Sequence, residues 1–172
     1  MIKDVYFVDS RALSEKLHRG EISDEVAFKH LLIFSMLFAS YIAIPVVVTC
    51  SESEAFTWWY QLVGFAVYAA ITFWGMNLLY QTNKKGDGKE FFVRCAALSL
   101  PVGVQMWVIG IVLGAIYGGL VGFAIADWCA GAPDYVWLLA GHVLGALIQF
   151  IYFKLMQKNL TICSSGPQQG VK

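Results

Sequence analysis

The sequence predicts an all-α integral membrane protein, a four-transmembrane-helix bundle with both termini on the cytoplasmic side. Three observations predict it. Hydrophobic residues make up 58% of the 172 positions and charged ones 14%, against roughly 45–50% and about 25% in soluble chains, and mean hydropathy is +0.62. The apolar residues fall in long uncharged blocks at 31–48, 55–80, 95–126 and 135–153, where a crossing helix needs about 20 residues. All twelve Lys and Arg lie before the first block, between the second and third, or after the fourth. Basic residues mark the cytoplasmic side, so both termini belong there. The opposite connections, 49–54 and 127–134, carry Glu52, Glu54, Asp127 and Asp134 and no basic residue. Twelve basic against twelve acidic residues leave no excess for nucleic acid.

Residues 1–25 form a charged cytoplasmic segment, with no cleavable signal peptide expected. Asp9 or Ser10 can cap a short helix containing Leu13 and Leu17 and ended by Gly20. That helix can dock on a cytoplasmic partner or lie on lipid headgroups. Ser23, Asp24 and Glu25 start the helix that becomes span one, about 26–48, with Pro45 near its outer end. Span two covers 55–80. The third block, at 32 residues, would reach about 48 Å, too long for one straight crossing of about 30 Å. Pro101 disfavours helical geometry at Leu100. The reading is therefore an interfacial elbow helix over 89–99 followed by span three, 101–126. Asp134 caps span four, 135–154, and closes a transmembrane domain of 26–158. Residues 159–172 read as a flexible cytoplasmic tail, whose Asn159 sequon would go unused. Trp58, Trp59, Trp128 and Trp137 fit an outer aromatic belt.

The most specific motif is a ladder in span three of Gly110, Gly114, Gly118 and Gly122, joined by Gly141 and Gly145 in span four. Glycines four apart share a helical face and admit a second helix closely. That second helix is span four of the same chain or a helix of another copy. Every Asp, Glu, Lys and Arg maps to a loop or a span end, which disfavours proton-coupled transport and voltage sensing. The intramembrane polar candidates are Gln61, Thr72, Asn77, Gln105, His142 and Gln149. Gln105 and Gln149 lie at matched depth and are expected to bond across spans three and four. His142 is a packing residue or a ligand-binding one.

Cys50 and Cys129 lie at the outer ends of spans one and three, as a disulfide or as two thiols, while Cys95 and Cys163 face the cytoplasm. This topology is similar to that of the small four-span quinone-linked thiol oxidases. Those carry a CxxC and paired cysteines in their outer loops, which this chain lacks, so the likeness stops at topology. In the elbow, Lys89 and Arg94 would reach lipid phosphates or a partner while Phe91 and Phe92 enter the interface.

No catalytic motif, phosphate loop or metal-ligand pattern is present, and neither enzyme activity nor a cofactor is expected. The leading expectation is a membrane subunit, sited in a bacterial inner membrane, that oligomerises, anchors or senses with a cytoplasmic protein partner. In size and topology it is similar to toxin-immunity proteins and membrane components of bacterial defence systems. The alternatives are a small oligomeric channel built on the glycine ladder and a small-molecule carrier. Its partners would be the lipid bilayer and further copies of itself.

Overall fold

The computed structural model describes the backbone of residues 5–43, 54–119 and 134–165, and side chains within 5–37, 62–119 and 141–165. Among these residues the chain is all helical, with no strand. The helices are α1 (Ser10–His18), α2 (Asp24–Ala43), α3 (Glu54–Lys85), α4 (Phe91–Gly119) and α5 (Asp134–Ser165). Two stretches, Leu62–Lys85 of α3 and all of α4, are long and apolar enough to cross a membrane.

Local chemistry sets the boundaries. The Asp9 carboxylate accepts the Ala12 amide at 2.9 Å and starts α1. Gly20 ends that turn at φ +71°, a left-handed conformation in which a Cβ would be strained. The turn from α3 to α4 needs glycine for two reasons. Gly88 has φ +68°, and Gly86 lies so close to Ser164 of α5 that any side chain would collide with it. The Asp87 amide then donates to the Ser164 carbonyl at 3.1 Å, which fixes the turn onto the end of α5.

The helices form a row in the order α2, α4, α5, α3, with α1 seated on α5 and α4. α3 and α5 run in the same direction, since Gly64 meets His142 near one end and Gly86 meets Ser164 at the other. Among the described residues α2 and α3, neighbours in sequence, make at most marginal contact. The expected four-span bundle is thus seen only as this open row of helices.

Burial divides the molecule along the helix axes. Leu13, Leu17, Ala27, Leu79, Leu98, Met156 and Leu160 form a core at the end that carries the α3–α4 turn and the close of α5. Farther along, every long helix exposes large apolar side chains, including Leu32 and Met36, Phe65 and Phe73, Ile111 and Ile116, and Val143 and Leu147.

Three expectations are corrected. No elbow precedes α4: Pro101 lies inside one continuous helix, buried together with Leu98, Leu100 and Val102. Proline removes one backbone donor and strains the preceding turn, and burial among neighbouring helices outweighs that loss here. Residues 159–165 are not tail but the last turns of α5, because Leu160 and Cys163 have α1 to pack against. Leu13 and Leu17 serve neither a separate partner nor lipid headgroups. Both are buried against the chain's own α4 and α5.

Candidate functional site

Three polar clusters interrupt the apolar packing. The first lies between α3 and α5. α3 turns the stripe Gly64, Tyr68, Ile71, Gly75 and Leu79 inward at three- and four-residue spacing. Gly64 receives the His142 imidazole and Gly145 receives the Tyr68 phenol, two reciprocal ring-into-glycine contacts. The Tyr68 hydroxyl stands 3.4 Å from His142 Nδ1, with the rings edge to face at 5.8 Å. One turn farther, Gln149 Nε2 donates to Thr72 Oγ1 at 2.6 Å, and the Thr72 hydroxyl donates to the Tyr68 carbonyl at 2.8 Å. The Gln149 Oε1 is buried without a hydrogen-bond partner among the described residues.

The second cluster ties residues 5–10 across the helices as a strap. His30, fully buried on α2, donates from Nδ1 to the Val26 carbonyl (2.7 Å) and accepts the Tyr6 amide at Nε2 (3.0 Å). A carbonyl can only accept and an amide can only donate, so the ring is the neutral Nδ1–H tautomer. Gln105 of α4 holds the same strap by donating to the Val8 carbonyl (2.6 Å) and Ser10 Oγ (3.1 Å). Lys16 of α1 sits 5.1 Å above the Tyr6 ring.

The third cluster fixes the packed end. Arg94 is buried and grips Asp87 with both terminal nitrogens, and its Nη1 also donates to Asn83 Oδ1 at 3.1 Å. Asn83 in turn donates to the Lys89 carbonyl at 3.1 Å. Nearby, Ser14 Oγ lies 3.4 Å from Asn159 Oδ1, and His18 Nδ1 donates to the Cys163 carbonyl at 2.9 Å. Burial pushes the Cys163 thiol up to about 11, so it is no nucleophile at neutral pH.

Against known proteins, the chain matches no family model, no curated protein and no solved structure.

The structure separates residues that the sequence seemed to join. Gln105 and Gln149 do not meet: one binds the strap and the other Thr72. The ladder glycines Gly110, Gly114 and Gly118, and also Gly141, have nothing within 4 Å of where a Cβ would stand among the described residues. They therefore do not mediate packing of α4 on α5 there, whereas Gly145 packs on α3. Arg94 is committed to Asp87 and is not available to lipid phosphate. Phe91 packs edge-on against Tyr80 and Phe92, Phe92 is exposed, and Lys89 is exposed in the turn. Gly122, Cys50, Cys129 and Trp128 lie outside the described residues. Among the described residues no three His, Cys, Asp or Glu side chains are grouped to hold a metal.

Sequence reasoning missed Gly75, which seats the Phe153 ring, and Gly103, which seats Phe34. The signal was present in α3. Gly64 and Gly75 are eleven residues apart, about three helical turns, and so share a face.

Proposed function

We propose that this chain is a non-enzymatic integral membrane protein of four spans, with a compact helical head on the cytoplasmic side that assembles with further copies or a cytoplasmic protein. One observation carries the reading: the division between a packed end and a belt of exposed apolar side chains shared by α2, α3, α4 and α5. A water-soluble chain rarely leaves so continuous an apolar surface bare. Lys154 lies against the stacked rings of Trp74 and Phe150, and both Trp and a snorkelling Lys suit a bilayer interface. From Asp134 to Lys154 is 20 residues, about 30 Å of helix, the thickness of a hydrocarbon core. Below that level α1 packs on the last turns of α5 and closes the head.

The channel reading keeps one specific support. Among the described residues Gly110, Gly114 and Gly118 have no neighbour where a Cβ would stand, while Gly64, Gly75, Gly103 and Gly145 are each filled by a neighbouring ring. Alkaline carbonate washing, native mass in nanodiscs and ion flux in liposomes test both readings. Retention in the bilayer without flux, as an oligomer or with a captured partner, is the expected result. Release by carbonate overturns the membrane reading, and sustained flux replaces the anchor with the channel.

A further inference from the structure

The strongest unassigned surface is the flank that α3 and α5 share on one side of their contact. On α5, Leu147, Phe150, Lys154 and Lys158 follow at intervals of three, four and four residues and therefore share a face. On α3, Trp74 and Lys85 are eleven residues apart and line up in the same way. The two faces meet where Trp74 stacks on Phe150, with centroids 5.2 Å apart and planes 9° from parallel. Lys154 Nζ stands 5.6 Å and 5.7 Å from the two ring centroids and donates to Gln157 Oε1 at 3.4 Å. Along this flank the surface changes from apolar to basic within a few turns.

The charges there are uncompensated. Arg11, Arg19, Lys29 and Arg94 each pair with a carboxylate, Glu15, Glu21, Glu25 and Asp87 respectively. Lys85, Lys154 and Lys158 form no ion pair among the described residues. α5 has no acidic residue after Asp134, and α3 none after Glu54. Of the two acidic groups in the turn, Asp87 is taken by Arg94, and Glu90 lies at the α4 end, where its carbonyl accepts the Arg94 amide.

We infer that this flank binds an anionic phospholipid of the cytoplasmic leaflet, its phosphate held by Lys154 and Lys158, with Lys85 more than a turn farther along on α3, and its acyl chains laid on Trp74, Phe150 and Leu147. The inference rests on the proposed membrane placement, which sets Lys154 at headgroup level. Ammonium groups on flexible stems suit a phosphate approaching at varied angles, and the stacked rings give the upper chain a flat apolar wall. A zwitterionic headgroup carries its own cation and gains less from three lysines. A water-soluble anion would find the lysines but leave Trp74 and Phe150 without an occupant.

The test uses the full-length protein in nanodiscs of phosphatidylcholine with a minority of phosphatidylglycerol, and native mass spectrometry counts the lipid retained. The expected result is selective retention of phosphatidylglycerol, falling about fivefold for each lysine in Lys154→Gln and Lys158→Gln and weakening as salt is raised. Arg11→Gln removes the same charge from α1 and should leave retention unchanged. Phe150→Ala should weaken retention, and the wild type should not hold inorganic phosphate alone. Flotation of the wild type with pure phosphatidylcholine vesicles at alkaline pH separates the two possible failures. A chain that leaves those vesicles overturns the membrane placement. One that stays but shows no phosphatidylglycerol preference, or loses it equally in Arg11→Gln, overturns the lipid site alone.

Discussion

Arg94 and Asp87 meet in a two-armed salt bridge, Nη1 to Oδ1 and Nη2 to Oδ2, each at 2.6 Å. The bridge closes a short loop, since Asp87 lies in the turn that Arg94 follows by only seven residues. With Asn83 added, the guanidinium holds the end of α3, the turn and the start of α4 together.

The bridge makes the packed end sensitive to acid. The hydrogen bond from Arg94 holds the Asp87 carboxyl below its usual range, more than burial raises it. A depressed carboxylate stabilises the fold fully above its unfolded value of about 4, and the benefit disappears as pH falls through the lower folded value. Asp87→Asn leaves a buried guanidinium without its counter-charge and should cost about 3 kcal/mol at neutral pH, the low end for a broken buried pair because Asp87 is partly exposed. Thermal unfolding in detergent at neutral and strongly acidic pH checks this, since the two proteins should converge in acid. A gap unchanged by pH would refute the assignment.

Glycines that look alike in sequence should respond oppositely to the same substitution. Gly75→Ala and Gly103→Ala drive a methyl into the Phe153 and Phe34 rings and should cost about 1–3 kcal/mol each. Gly114→Ala meets no neighbour among the described residues and should be neutral or gain up to about 1 kcal/mol in protomer stability from helix propensity. Melting temperatures of the three variants decide the matter, and destabilisation by Gly114→Ala would show that this face is covered in the assembled protein.

Energetic coupling should be found between Gln149 and Thr72, not between Gln149 and Gln105. A double-mutant cycle with Gln149→Leu and Thr72→Val is expected to show about 0.6–2 kcal/mol of interaction. The same cycle with Gln105→Leu should be additive, because Gln105 is engaged with Val8 and Ser10. Additivity in the first cycle would remove the clamp.

The ends of elements were written in local chemistry. Asp9 before α1, Gly20 after it, Asp24 and Glu25 at the start of α2 and Gly86-Asp87-Gly88 after α3 all act within a few residues of the boundary they mark. Pro101 misled because its cost is local whereas its compensation comes from helices distant in sequence. The pairing of Gln105 with Gln149 failed for a related reason. Depth along an axis follows from counting residues, but the direction in which a side chain points depends on which helices are neighbours. The same gap hid the facing of the glycine ladder. Arg94 reads as a surface cation in sequence because a carboxylate seven residues earlier does not look like a partner until the turn folds back.

The row order α2, α4, α5, α3 has a consequence for how the chain is made. Thr72 waits for Gln149, 77 residues later, which at ribosomal speeds of 5–20 residues per second is about 4–15 s. During that interval α3 is tied to α4 near the turn, through Asn83–Arg94 and Tyr80–Phe91. Among the described residues its inward stripe has no extensive helix contact until α5 emerges. Translation that stalls between α4 and α5 would therefore strand a finished helix without its mate, a natural point for quality control to recognise an incomplete chain.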